Sequence, residues 1–133
     1  MPAPDSLIPA EWFAKAEEDI RAAELLLEHD GPLGIVAFLV QQAAEKCLKG
    51  YLLSTGWSFE RIHDLETLVE EASTRDAEFA PFLTVCQHIT EYYIEGRYPI
   101  GLSSALTRDE VAASLEDVQR LAMLVRGKVA SYR

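Results

Sequence analysis

The chain has 133 residues, 49% of them hydrophobic, enough for one domain with its own core over residues 10–130 and too little for two separate interiors. The 12 basic residues stand against 22 acidic ones, a formal charge of -10, which opposes nonspecific attraction to nucleic acid or an anionic membrane over most of the surface. No apolar stretch is long enough to cross a bilayer, and no basic segment with a secretion-type apolar core opens the chain, so the expected location is cytoplasmic and no membrane contact is expected.

After Pro9, Trp12, Phe13, Ala16, Ile20, Ala23 and Leu27 recur at helical spacing with charged residues between them, which predicts a first amphipathic helix. Asp30-Gly31-Pro32 stops it, the glycine favouring a helix-ending turn and the proline blocking continuation. Leu33 to Leu53 reads as a central helix, with Val36, Leu39, Ala43, Cys47 and Gly50 on one face; Ala43, Ala44 and Gly50 are small enough for a close helix crossing. Glu45 and Lys49, four residues apart, fit an ion pair on its exposed side.

Ser54-Thr55-Gly56 opens a connection, and a third amphipathic element is predicted from about His63 to Ala72 through Leu65, Leu68 and Val69. The run from Phe79 through Cys86 to Tyr93 predicts a fourth helix, with Pro81 in its first turn and an end near Arg97 set by Gly96 and Pro99. Thr107 and Glu110 form a capping box for a fifth helix, whose Val111, Leu115, Val118, Ala122, Val125 and Val129 extend the apolar face. The expected fold class is therefore all-α, an up-and-down bundle of about five helices. Cys47 and Cys86 fall in apolar helical patterns, which predicts buried free thiols.

Two polar groups sit near expected helix ends, His63 in His63-Asp64-Leu65 and Arg97 in Glu95-Gly96-Arg97-Tyr98-Pro99. A guanidinium offers directed donors to phosphate, and an imidazole exchanges a proton near neutral pH. Such a pair supports phosphate binding or RNA cleavage, in which the histidine moves a proton of the ribose 2'-hydroxyl or leaving oxygen while Arg97 stabilises charge at phosphorus. Lys46, Lys49, Arg61, Arg97 and Arg108 are the candidates for a local positive groove, and Gln41, Gln42, Glu45 and Lys46 form the polar part of the central helix. The same residues also fit a solvated or internally paired surface. No Gly-rich phosphate loop precedes a helix and no close His-Glu-His pattern occurs, so neither a cofactor nor a metal is expected; Asp19, Glu24 and Glu28 read as a solvated face.

The ordered set WFAKAEEDIRAAELLLEH, GIVAFLVQQAAEKCLKGYLLSTG, RIHDLETLV and YYIEGRYP, covering roughly residues 11–128, resembles the HEPN domain family. That resemblance implies a compact bundle of mainly antiparallel helices that commonly forms a homodimer. RNase members of the family carry an Arg, four to six intervening residues, then a His near a helix end. Arg97 matches that Arg, but YPIGLSSALTR after it contains no His, and His63 belongs to a separate part of the resemblance. Other members accompany a minimal nucleotidyltransferase, and this branch tolerates the missing imidazole. Tyr92, Tyr93 and Tyr98 offer hydroxyls and rings for a base, a contact typically of about 1–3 kcal/mol, though tyrosines at these positions equally suit core packing. The nucleotide-binding set is thus Arg97, His63, Tyr92, Tyr98 and Lys46, with no catalytic residue assigned. Three functional readings remain: a nucleotide- or RNA-binding accessory protein of a minimal nucleotidyltransferase, a metal-independent HEPN-type RNase toxin of a toxin-antitoxin pair with a degenerate motif, and a helical dimerisation adaptor.

Overall fold

The computed structural model describes residues 6–60, 62, 64–97 and 106–130, and the side chains of all of these except 92–97. Five α-helices follow in order: α1 (Pro9–Glu28), α2 (Leu33–Ser54), α3 (Leu65–Arg75), α4 (Phe82–Arg97) and α5 (Arg108–Lys128), with a 3-10 turn at Ala77–Phe79 before α4. No strand occurs among the described residues, so the fold is an all-α bundle of five helices.

Side-chain partners fix the helix directions. Arg126 near the end of α5 donates to Glu17 of α1, and Arg108 at the start of α5 donates to the carbonyl of Leu27, so these two helices are antiparallel. Tyr51 of α2 stacks on Phe79, just before α4, with ring centroids 4.3 Å apart. Arg75 at the end of α3 donates to Thr55, just after α2, while Glu66 at the start of α3 accepts from Gln87 of α4. The four long helices therefore alternate in direction. The short α3 runs alongside α2 in the same direction, its last residue, Arg75, lying beside Thr55 at the end of α2.

The apolar faces read from the sequence are the ones buried, except that Leu39 of α2 is only half-buried. Phe13, Ala16, Ile20, Ala23 and Leu27 of α1 share one core with Val36, Ala43, Ala44 and Cys47 of α2, Leu65, Leu68 and Val69 of α3, Cys86 of α4, and Val111, Leu115, Val118, Ala122 and Val125 of α5. Gly50 is where α1 and α2 approach most demandingly: a Cβ there would lie 2.3 Å from Cε1 of Phe13. The thiols of Cys47 and Cys86 are free and buried, and burial pushes the Cys86 thiol up to about 12 and that of Cys47 higher still. No helix among the described residues is long and apolar enough to cross a membrane.

Helix ends follow local chemistry. Pro9 occupies the first turn of α1, where its missing N–H costs nothing. At the other end the left-handed residue is Asp30, with φ 55°, and not Gly31. Gly31 is required for space instead, since its N–H donates to Leu26 O at 2.6 Å and a Cβ would fall 2.8 Å from Leu26 Cδ2. The start of α3 lies two residues later than the sequence suggests, because Asp64 caps it: its carboxylate accepts from the Glu66 N–H and the Thr67 hydroxyl. Pro81 lies just outside α4. Thr107 caps α5 as the capping box predicts, its Oγ1 accepting from the Glu110 N–H at 3.1 Å.

Asp64→Ala removes the α3 cap and is expected to cost about 1 kcal/mol, read as a lower urea midpoint with an unchanged slope. A second end contact is pH-dependent. Lys128 lies 2.5 Å from Asp76 and 2.8 Å from Glu78. Hydrogen bonding from Lys128, then from the Glu78 N–H, holds the Asp76 carboxyl below its usual range. A depressed carboxyl contributes stability above its unfolded-state value and loses that contribution as pH falls through the folded value. Asp76→Asn is therefore expected to be less stable than wild type at pH 7, with the gap closing below about pH 4, as measured by thermal melts across that range.

Candidate functional site

Of the residues proposed from the sequence to meet a nucleotide, His63 and Tyr98 lie outside the described residues, as do the side chains of Tyr92 and Arg97; Arg61 is also outside them. The backbone of α4 reaches Arg97. Because α4 runs against α2, with Phe79 beside Tyr51 at one end, its C-terminal turn is carried toward the first turns of α2. Gly96 and Pro99 give the physical reason for an end near Arg97: neither residue supports continued helix.

Lys46 occupies the side of α2 that faces α1. Its Nζ lies 2.6 Å from Asp19 Oδ2, and both side chains are mostly buried. The Lys46 ammonium thus already has an anion, and any phosphate reaching it competes with Asp19.

One turn further along, the sequence reading needs correction. Glu45 and Lys49 do pair, at 3.0 Å, but the pair is inside the protein rather than on an exposed face: Lys49 is 2% and Glu45 7% accessible. Gln41 donates to Glu45 and Gln42 to Gln41, forming a polar line along α2. The Lys49 ammonium also lies 5.4 Å from the ring of Trp12 and 5.9 Å from that of Phe59. Trp57 packs edge-on against Phe59, and the Trp12 indole N–H donates to Ser6 O at 2.9 Å. These rings contribute cation–π attraction where water is excluded. Lys49 therefore fastens Phe59, and through it Trp57, onto α2. Sequence reasoning missed this because α2 shows nothing but an i,i+4 pair; the aromatic partners come from residues 12, 57 and 59, which spacing alone does not bring together.

The remaining described cation of the expected groove, Arg108, points to the carbonyl of Leu27 at 3.1 Å. Lys46, Lys49 and Arg108 thus have three different partners and do not converge. One hollow among the described residues, between α3 and α4, is mostly acid-lined, by Asp64, Glu66 and Glu91 with Gln87 and Thr90. No group of three or more His, Cys, Asp or Glu side chains suited to a metal ion occurs among the described residues.

The α2 surface beyond the polar line is different in character. Ile35 is 52% exposed, and Phe38, Leu39 and Gln42 are half-buried. At 100° per residue, positions 35, 38, 39 and 42 make one stripe. That stripe begins in the turns toward which the end of α4 is directed.

Comparison with known proteins agrees with this architecture. The family model described as HEPN domain matches residues 9–128. The structure is similar to an archaeal HEPN homologue, ST0689, at 24% identity and a TM-score of 0.71, over 91% of this chain and 97% of that one. It is also similar to TT1696 from Thermus thermophilus, at 25% identity and a TM-score of 0.72, over 91% of this chain and 98% of that one. No curated protein matches. With the match running through all five helices, the chain belongs to the HEPN domain family.

Proposed function

We propose that the chain is a HEPN dimerisation module whose two α4 ends, each carrying Arg97, come together as one metal-independent site for a nucleotide or RNA. The observation that supports this most is the exposed Ile35, with half-buried Leu39 one turn along the same face of α2, beside the direction in which α4 ends. A second copy covering that stripe removes apolar surface from water on both sides and does so symmetrically. Sedimentation of the full chain, wild type against Ile35→Glu/Gln42→Glu, tests the pairing. A dimer for wild type and a monomer for the folded variant is expected; equal masses contradict it.

In this reading Arg97 supplies the phosphate contact, with Tyr92 and Tyr98 offering rings to a base, His63 a proton-exchanging group, and Lys46 a contribution only when its Asp19 partner yields. The segment after Arg97 contains no His, which favours binding over self-contained cleavage and fits an accessory of a minimal nucleotidyltransferase. Titration with ATP and short RNA, repeated with Arg97→Ala, separates these outcomes. Binding lost in the variant supports the site, and no binding by either form removes it. Incubation of defined RNAs in EDTA is the companion assay: Arg97-dependent cleavage makes the chain a metal-independent RNase, the toxin reading, in place of an accessory protein.

A further inference from the structure

The α1 and α5 helices leave between them a groove of about 350 Å³. Its floor is apolar: Leu27 and Leu115 are buried, and Ala112 beside them is half-buried. A further hollow of about 250 Å³ shares Leu27 and Arg108 and extends it to Asp30 and Leu33. Each wall also carries an exposed apolar side chain at helical spacing from the lining residues. Leu25, 40% exposed, is four residues beyond Arg21, and Met123, 67% exposed, is four beyond Gln119.

Charge decides what suits this surface. Four carboxylates line the two hollows, Glu24, Glu28, Asp30 and Glu116, against the two cations Arg21 and Arg108. Arg21 lies 3.7 Å from Glu24, whereas Arg108 donates to the neutral carbonyl of Leu27 and keeps its charge, so the carboxylates still outnumber the cations by two. Glu24 also accepts from Gln119 at 2.7 Å. Among the described residues, the side chains of Glu28, Asp30 and Glu116 make no hydrogen bond or ion pair. An apolar floor flanked by unneutralised carboxylates matches the helix-in-groove mode of recognition, with apolar anchors on one face of the ligand and cations beside them.

We infer that the α1–α5 groove docks an amphipathic helix of a partner protein that presents Lys or Arg beside its apolar face. A second copy of this chain is a poor occupant, because at a formal charge of -10 it brings like charge to the carboxylates. A small amine leaves the Leu27, Ala112 and Leu115 floor and the exposed Leu25 and Met123 unused. The groove lies on α1 and α5 and touches α2 only at Leu33, and its test substitutes none of the dimer-stripe residues, so failure of one proposal leaves the other standing.

The test uses the full chain and a labelled amphipathic Leu/Lys peptide of about 18 residues, enough for five helical turns. A scrambled Leu/Lys peptide and a Leu/Glu peptide serve as controls in fluorescence anisotropy. Glu28→Lys/Glu116→Lys is expected to weaken binding about tenfold or more, and Glu60→Lys/Glu70→Lys, an equal charge change elsewhere, about twofold or less. Leu25→Ala/Met123→Ala, which keeps the charge, is expected to weaken binding about fivefold. Equal losses in the two charge variants, or equal binding of the scrambled peptide, overturn the proposal in favour of general attraction to an acidic surface. A change of oligomeric mass in the groove variant, measured by sedimentation, overturns it in favour of a second copy.

Discussion

Gly50→Ala is expected to lower stability even though alanine is the better helix former. The substitution gains about 1 kcal/mol in helix propensity, but the new Cβ would sit 2.3, 2.7 and 2.9 Å from three carbons of the Phe13 ring. Phe13 is 1% exposed and has no open side to retreat into. Overpacking of a filled core costs about 1–3 kcal/mol, so a net loss of up to about 2 kcal/mol is expected for alanine. Gly50→Val adds two more carbons and gives up the propensity gain, for a loss of about 3 kcal/mol. Urea denaturation of both variants, alone and with Phe13→Leu, checks the cause. The smaller side chain at position 13 is expected to recover part of the loss, and a Gly50→Ala protein more stable than wild type contradicts the close crossing.

A second large effect is expected from separating the buried charges of α2. Glu45→Ala leaves the Lys49 ammonium, 2% exposed, among the rings of Trp12 and Phe59 without its carboxylate 3.0 Å away. Removing one partner of a buried pair costs about 3–5 kcal/mol. Glu45→Leu/Lys49→Met, which replaces both charges with apolar groups of similar length, is expected to recover most of that loss. The two tryptophans, Trp12 and Trp57, sit in this cluster, so their fluorescence reports its loosening directly. Single and double variants equally unstable would mean that the aromatic packing, and not the charge pair, holds the connection to α2.

The five helices were legible in the sequence because each has a continuous apolar stripe with recognisable ends. Thr107 caps α5 and Asp30-Gly31-Pro32 ends α1 largely as their chemistry dictates. What local pattern did not reveal was the tertiary use of ambiguous residues. Glu45 and Lys49 satisfy the spacing of a surface pair, and only the packing of Trp12 and Phe59 around Lys49 turns them inward. Gly31 was expected to favour the turn that ends α1; there it supplies clearance beside Leu26, while Asp30 takes the left-handed conformation, which its short side chain tolerates. Lys46 looked like a phosphate ligand because its partner Asp19 lies 27 residues away, on another helix. Gly96 and Pro99 made the end of α4 near Arg97 legible, whereas His63, Tyr98 and the side chains of Tyr92 and Arg97 lie outside the described residues.

The claim on which the functional reading depends is that pairing through α2 assembles the Arg97 site. Titration of a short labelled RNA and of ATP against wild type and against the folded Ile35→Glu/Gln42→Glu variant tests it most directly, with sedimentation run on the same samples. The account predicts that the variant is monomeric and binds at least about tenfold more weakly although Arg97 is intact. A monomeric variant that binds as tightly as wild type would contradict it.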